Sequence, residues 1–177
     1  MVVYTVTKNV KDLSEILKLQ KANLPDNLSE KTKKEQGFVT VHHHLEMLQK
    51  MHTIHPHTIA LYNNKLIGYA LSMSRKFSND IPILAPMFSK IKASEKREEN
   101  YLIMGQVCVA RDFRGKGVFR GLYDHMKKIF SNVYDCIITE INSKNSRSMN
   151  AHLTLGFQEL ARYDFEGETW IVLFIDL

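Results

Sequence analysis

Val107-Cys108-Val109-Ala110-Arg111-Asp112-Phe113-Arg114-Gly115-Lys116-Gly117-Val118-Phe119 is a junction between two periodicities. Its first four residues end an apolar run over residues 101–110, the pattern of a strand buried on both faces. From Val118 onward, apolar residues recur at helical spacing through residue 130. A charged loop with two glycines lies between. Glycine permits backbone conformations and close approaches that a Cβ would block. The first N–H groups of the following helix lack intrahelical partners and carry the positive end of its dipole. Such a terminus binds phosphate. Arg114, Lys116 and Arg120 can add charge around it. A plain tight turn explains the same two glycines, because short glycine motifs recur widely.

Outward from this junction the chain alternates helix and strand signals. Residues 2–6 read as a strand, and residues 10–22 as a helix with Leu13, Ile16, Leu17 and Leu19 on its apolar side. Asn23-Leu24-Pro25-Asp26-Asn27 breaks it. Ser29, Thr32 and Lys33 open a polar helical stretch that ends near Gly37, and residues 41–52 read as a further helix. Two β-rich runs, 58–62 and 65–74, meet at Asn63-Asn64, a two-residue hairpin signal because Asn tolerates positive φ. Residues 77–100, with Pro82 and Pro86, read as a long connection containing a helical turn or more. A strand over 136–141 precedes a helix over 145–155 closed by Gly156. Strands over 157–163 and 169–175 turn around Glu166-Gly167. This order predicts one mixed α/β domain over residues 1–177, its later helices packed on the sheet by right-handed crossovers.

Composition narrows the function classes. The 177 residues, 44% hydrophobic and 24% charged, suit a globular domain. No apolar run reaches the ~20 residues that span a bilayer, and the N-terminus lacks a signal-peptide pattern, so no membrane role is expected. Cys108 and Cys136 sit in apolar stretches and read as buried thiols of a reducing compartment, hence a cytoplasmic location. The net charge of +5 is spread along the chain, and the cluster Lys31, Lys33 and Lys34 is interrupted by Glu30 and Glu35. It reads as a solvated helix face, so a nucleic-acid partner is not expected.

The loop sequence resembles the signature of the GCN5-related N-acetyltransferase (GNAT) superfamily, Gln/Arg-x-x-Gly-x-Gly/Ala, with Arg114 first, Gly117 fourth, and Phe119 where Gly or Ala is usual. The segment from Asn145 to Phe157, with Ser148, His152 and the ending Leu155-Gly156-Phe157, resembles the family's second signature. The resemblance implies a central, mostly antiparallel sheet of six to seven strands with helices on both faces. It implies acetyl-CoA as acyl donor. Pantetheine would then lie between splayed strands against the backbone of Val107, Cys108 and Val109. The pyrophosphate would rest on Arg114, Gly115, Lys116, Gly117, Val118 and Phe119. Asn145, Ser148 and His152 would face the pantetheine arm, and the Val107 N–H would stabilise the developing oxyanion.

Two ionisable residues fit catalytic roles by the same resemblance. His152 occupies the position of the family's usual proton-donating Tyr, and Glu140 the offset of a general base in relatives that acetylate ribosomal protein N-termini. Each also reads as an ordinary residue, His152 as a packed helix histidine and Glu140 as the outward side of an alternating strand. His42-His43-His44 with His52, His55 and His57 do not show ligand spacing, so no metal is expected. Cys108 reads as a small buried residue, not a nucleophile. Tyr69, Met73 and Asp80 are the acceptor-pocket candidates. The expected activity is acetyl transfer to the primary amine of a small molecule. A protein N-terminal or lysine acetyltransferase and a non-catalytic acyl-CoA sensor are the rivals. A homodimer is a candidate assembly, because dimers are common in relatives.

Overall fold

A computed structural model of the chain describes residues 1–24, 27, 29 and 38–177. The polar helical stretch expected to follow Ser29 lies outside the described residues. In chain order the elements are β1 (Val2–Val6), α1 (Val10–Lys21), α2 (Leu45–Ile54), β2 (Thr58–Tyr62), β3 (Lys65–Ser74), α3 (Ala85–Lys92), β4 (Tyr101–Val109), α4 (Val118–Phe130), β5 (Cys136–Asn142), α5 (Ser146–Thr154), β6 (Gln158–Phe165) and β7 (Glu168–Asp176). The strands form one sheet in the order β1-β2-β3-β4-β5-β7-β6. Every neighbouring pair is antiparallel except β4 and β5. The mixed α/β acyltransferase architecture expected from the sequence is therefore present.

Strand alternation divides the core into two layers. Ile59, Leu71, Ile103 and Ile138 face α1, α2 and α3 through Leu13, Ile16, Leu48, Met51, Met87 and Ile91. Ala70, Leu102, Ile137 and Leu173 face α4 through Val118, Leu122, Tyr123 and Met126, and α5 borders the same layer with Met149. β4 is buried almost throughout because helices cover both its faces.

Local chemistry accounts for the departures from the sequence reading. The helix expected from residue 41 begins at Leu45. Residues 41–44 are instead held extended, since the Val41 carbonyl accepts from Gln106 Nε2 (2.7 Å) and the His43 N–H donates to Gln20 Oε1 (2.8 Å). The long connection over 77–100 contains α3, which starts Ala85-Pro86. Proline suits a first helical turn, where its missing N–H has no partner to lose. The Asn63-Asn64 hairpin is confirmed by positive φ at both residues, 48° and 60°.

The feature that makes a site is a fork. β4 pairs with β5 only from Tyr101–Ile103 to Cys136–Ile138. Beyond that β4 stays with β3 and β5 stays with β7. The β3–β4 register shifts between Ala70 and Ser72, and such an extra residue bends a strand. At the branch the Thr139 hydroxyl donates to the Met104 carbonyl (3.0 Å), a bond made by side chain where the ladder has ended. Both residues are buried. Thr139→Val keeps the shape and strands that carbonyl. We expect it to lower unfolding free energy by about 1–3 kcal/mol in urea denaturation.

Candidate active site

The open arm of the fork exposes backbone. The Ala110 N–H donates to the Ile67 carbonyl on β3 (2.8 Å), so alternation turns the peptide groups of Val109 and Val107 toward the gap. The Val109 carbonyl accordingly accepts from Arg114 Nε (2.9 Å). Past β4, a short 3-10 turn over Arg111–Phe113 leads into Gly115 and Gly117, with φ of 70° and 79°. A Cβ at either glycine would meet nothing within 4 Å, so the left-handed backbone, not crowding, requires glycine here. Gly117 is the N-cap of α4, and it leaves the first N–H groups of that helix facing outward.

A cleft of about 620 Å³ runs from this loop to α5. Val107, Cys108, Val109, Arg114, Gly115, Gly117 and Phe119 line one wall, and Asn145, Ser148 and Ala151 line the other. Arg120 and Arg147, both exposed, make its rim basic. Sequence reasoning missed Arg147, although its place in the first turn of α5 beside Asn145 was a usable signal. Three of the residues expected to hold the cofactor, Val118, Lys116 and His152, do not line this cleft. Val118 is buried in the core under the loop, and the Lys116 ammonium lies over the Phe113 ring. Burial pushes the Cys108 thiol up to about 12, which suits a packing residue. Phe119 resolves its own departure from the glycine pattern by packing against Tyr123 (5.2 Å between centroids) and edge-on to His152 (5.0 Å).

A second, smaller chamber of about 70 Å³ opens from the cleft inside the fork. The two share Phe38, Val39, Val107, Asn145 and Ser148. The chamber is walled by Met87, Ile103, Met104 and Trp170, with Gln106, Thr139, Glu140 and His152 as polar lining. Glu140 is the carboxyl among them. Burial raises it to about 7, opposed by a hydrogen bond that the Tyr163 hydroxyl donates to Oε2.

His152 is buried in an aromatic setting of Phe119, Tyr123 and Phe157. Its Nδ1 lies 2.7 Å from the Ser148 carbonyl, which only accepts, so Nδ1 carries the proton. Nε2 then accepts from the Tyr123 hydroxyl (2.7 Å). Burial lowers its pKa to about 4, with the Ser148 bond opposing. The ring is neutral at pH 7, and its one N–H is taken by a carbonyl. This geometry does not supply the imidazolium donor that the sequence position suggested.

A strap over residues 38–44 crosses between cleft and chamber. Asn145, the N-cap of α5, accepts from the Ser148 N–H (3.2 Å) and donates to the Phe38 carbonyl (3.0 Å). The Val39 N–H donates to the Asn23 carbonyl (3.1 Å), and Arg114 donates to Asn23 Oδ1 (2.5 Å). Of the acceptor candidates read from sequence, Tyr69 and Met73 lie in the core and Asp80 is exposed on a turn. None of the three lines the chamber. Tyr69 acts at one remove, donating to Gln106 Oε1 (2.6 Å). The histidines near α2 serve structure. His57 Nδ1 accepts from the Ser72 N–H (3.2 Å), and burial lowers its pKa to about 3. Gln106, Trp170 and Tyr163 were missed. Gln106 had a signal, a polar residue in an otherwise apolar buried strand; the others meet the site only through tertiary register.

Comparison with known proteins agrees with this fold. The chain is similar in fold to Drosophila melanogaster polyamine N-acetyltransferase, an enzyme that forms N-acetylagmatine (12% identity, all of both chains, TM-score 0.73). It is similar to a chain of the NatC complex bound to Gag peptide and CoA (19% identity, 99% of this chain and 98% of that one, TM-score 0.69). Ard1 from Thermoplasma volcanium is similar as well (10% identity, 99% and 97%, TM-score 0.69). No curated protein matches the chain in sequence. Among the described residues no helix is long and apolar enough to cross a membrane. A profile of the acetyltransferase (GNAT) family matches residues 15–157. With the fork, the glycine loop and the basic cleft in place, that match assigns the chain to the GNAT family of acetyltransferases, enzymes that use acetyl-CoA as acyl donor.

Proposed function

We propose that the protein acetylates the primary amine of a small molecule by direct attack, with Glu140 as general base. The observation that carries this reading is the half-buried Glu140 carboxyl in a chamber that meets the cleft at Val107. Acetyl-CoA, when bound, supplies an acetyl group activated as a thioester. The cleft fits it, because the gap-facing peptides of Val107 and Val109 suit an amide-bearing arm. The N-terminus of α4, with Arg114, Arg120 and Arg147 near it, suits phosphates. The strap at Phe38 and Asn145 stands where the arm would pass between the two cavities.

A protonated amine has no lone pair to attack with. Glu140, titrating near neutrality, takes a proton from the ammonium and leaves a neutral nucleophile in a desolvated chamber. The Val107 N–H is the donor for negative charge that develops on the acyl oxygen. Ser148 borders both cavities and would lie beside the departing sulfur. His152 holds that turn of α5 in position through its bond to the Ser148 carbonyl, with its Nδ1 3.4 Å from Ser148 Oγ. A small acceptor is favoured over a peptide because the chamber is small and walled by Met87 and Trp170.

The first test is a screen of amines and peptides that monitors free thiol release from acetyl-CoA, alongside calorimetry of CoA binding. We expect CoA to bind and small amines to be acetylated. Binding without thiol release from any acceptor would favour a sensor, and release with peptides alone would favour a protein substrate. Glu140→Gln should lower turnover by about 10²-fold or more with CoA affinity retained. In the wild type, kcat/KM should rise with pH through about 7 and then level, because the base must be deprotonated. Stability should run the other way. The folded pKa, about 7, lies above the unfolded value of 4.5, so the folded state holds its proton more tightly. Wild-type stability relative to Glu140→Gln should therefore fall as pH rises from about 4.5 to about 7, by on the order of 1–3 kcal/mol in denaturant titrations.

A further inference from the structure

Tyr163 belongs to neither cavity lining, yet its hydroxyl donates to Glu140 Oε2. It reaches that oxygen from β6, two strands away from β5. β7 lies between, with Val172 opposite Glu140 and Trp170 opposite Tyr163. The ring is anchored in the same core layer as Val172 and Phe174. A carboxylate has two oxygens, and a donor fixed on one leaves the other to meet an acceptor amine.

We propose that Tyr163 is a positioning residue for the reaction: it holds Oε2 of Glu140 so that Oε1 is presented to the acceptor's ammonium. This rests on Glu140 acting as the base. In the step concerned an N–H bond of the ammonium breaks, an O–H bond forms at Oε1, and the electron pair stays on nitrogen. The tyrosine keeps its own proton throughout. Burial raises its pKa above the ordinary value, and the neighbouring carboxylate raises it further.

The alternative is a core tyrosine whose hydroxyl takes the nearest acceptor, as buried tyrosines do. The two differ in what they do to Glu140. A donor to the charged form opposes the burial that disfavours it, keeping the carboxylate available near neutral pH. The other polar groups around Glu140 do not supply this. Thr139 on β5 bonds the Met104 carbonyl, Gln106 on β4 is bonded to Val41 and Tyr69, and His152 on α5 is neutral above about pH 4. Among the described residues, no lysine, arginine or second carboxylate contributes to the shift of Glu140.

The test needs no acceptor. The full chain, labelled with ¹³C at glutamate carboxyls, is titrated by NMR, and the Glu140 signal is assigned by its absence in Glu140→Gln. Tyr163→Phe removes the donor and keeps the ring. The Glu140 midpoint should rise by about one to two pH units, the worth of a hydrogen bond to a charged group. Fluorotyrosine placed at position 163 is a stronger donor of the same shape, and should lower the midpoint. It also serves if Tyr163→Phe does not fold. An unmoved midpoint in either folded variant overturns the proposal. That failure is separable from failure of the base itself, which would appear as full turnover in Glu140→Gln whatever the titrations show.

Discussion

β4 and β5 are held together by three residue pairs, Tyr101–Ile103 against Cys136–Ile138, and then part. Parallel neighbours at the centre of a sheet ordinarily stay paired, since an unpaired buried peptide group costs about as much as a lost hydrogen bond. Here the separation is built in. The shifted register beside Ala70 marks a bend in β4, and Thr139 satisfies the carbonyl at the branch. Beyond it, the peptides of Val107 and Val109 lack a strand partner on one side. Both cavities follow from that opening, the cleft on its outer side and the Glu140 chamber within it.

What surrounds the fork is shaped to tolerate it. α4 begins at a left-handed Gly117, so its unpaired N–H groups stand at one end of the gap, and α5 begins at Asn145 at the other. Phe119 and His152 pack these helices on each other, with Tyr123 bonded to the imidazole between them. The Glu140 carboxyl is kept at the expense of stability. Raised to about 7 by burial, it is disfavoured when charged, and the charged form is the one the proposed base would use.

Most of the fold was legible because its signals are local. The apolar run of β4, the Asn63-Asn64 turn, the glycine pair and Gly156 each specify their own conformation, and the structure has them as read. The start of α2 was misread because helical spacing at residues 41–44 is overridden by Gln20 and Gln106, distant in sequence. The acceptor candidates lie away from the chamber for a similar reason. Tyr69, Met73 and Asp80 sit on elements near the site, but side-chain direction in the sheet turns the first two into the core. Phe38, Trp170 and Tyr163 come from three separate segments, and only the β5-β7-β6 register and the strap bring them to Glu140. The motif singled out His152, but the state of its ring depends on Tyr123 and Ser148, which no local signal joins to it.

The account turns on backbone amides left open by the fork, so the most direct measurement is residue-resolved hydrogen exchange at Val107 and Val109 with and without CoA. The amides of both residues should exchange readily in the free protein and become protected when CoA binds, while Ala110, already bonded to Ile67, changes little. Saturating CoA that leaves Val107 and Val109 exchanging as before would contradict it.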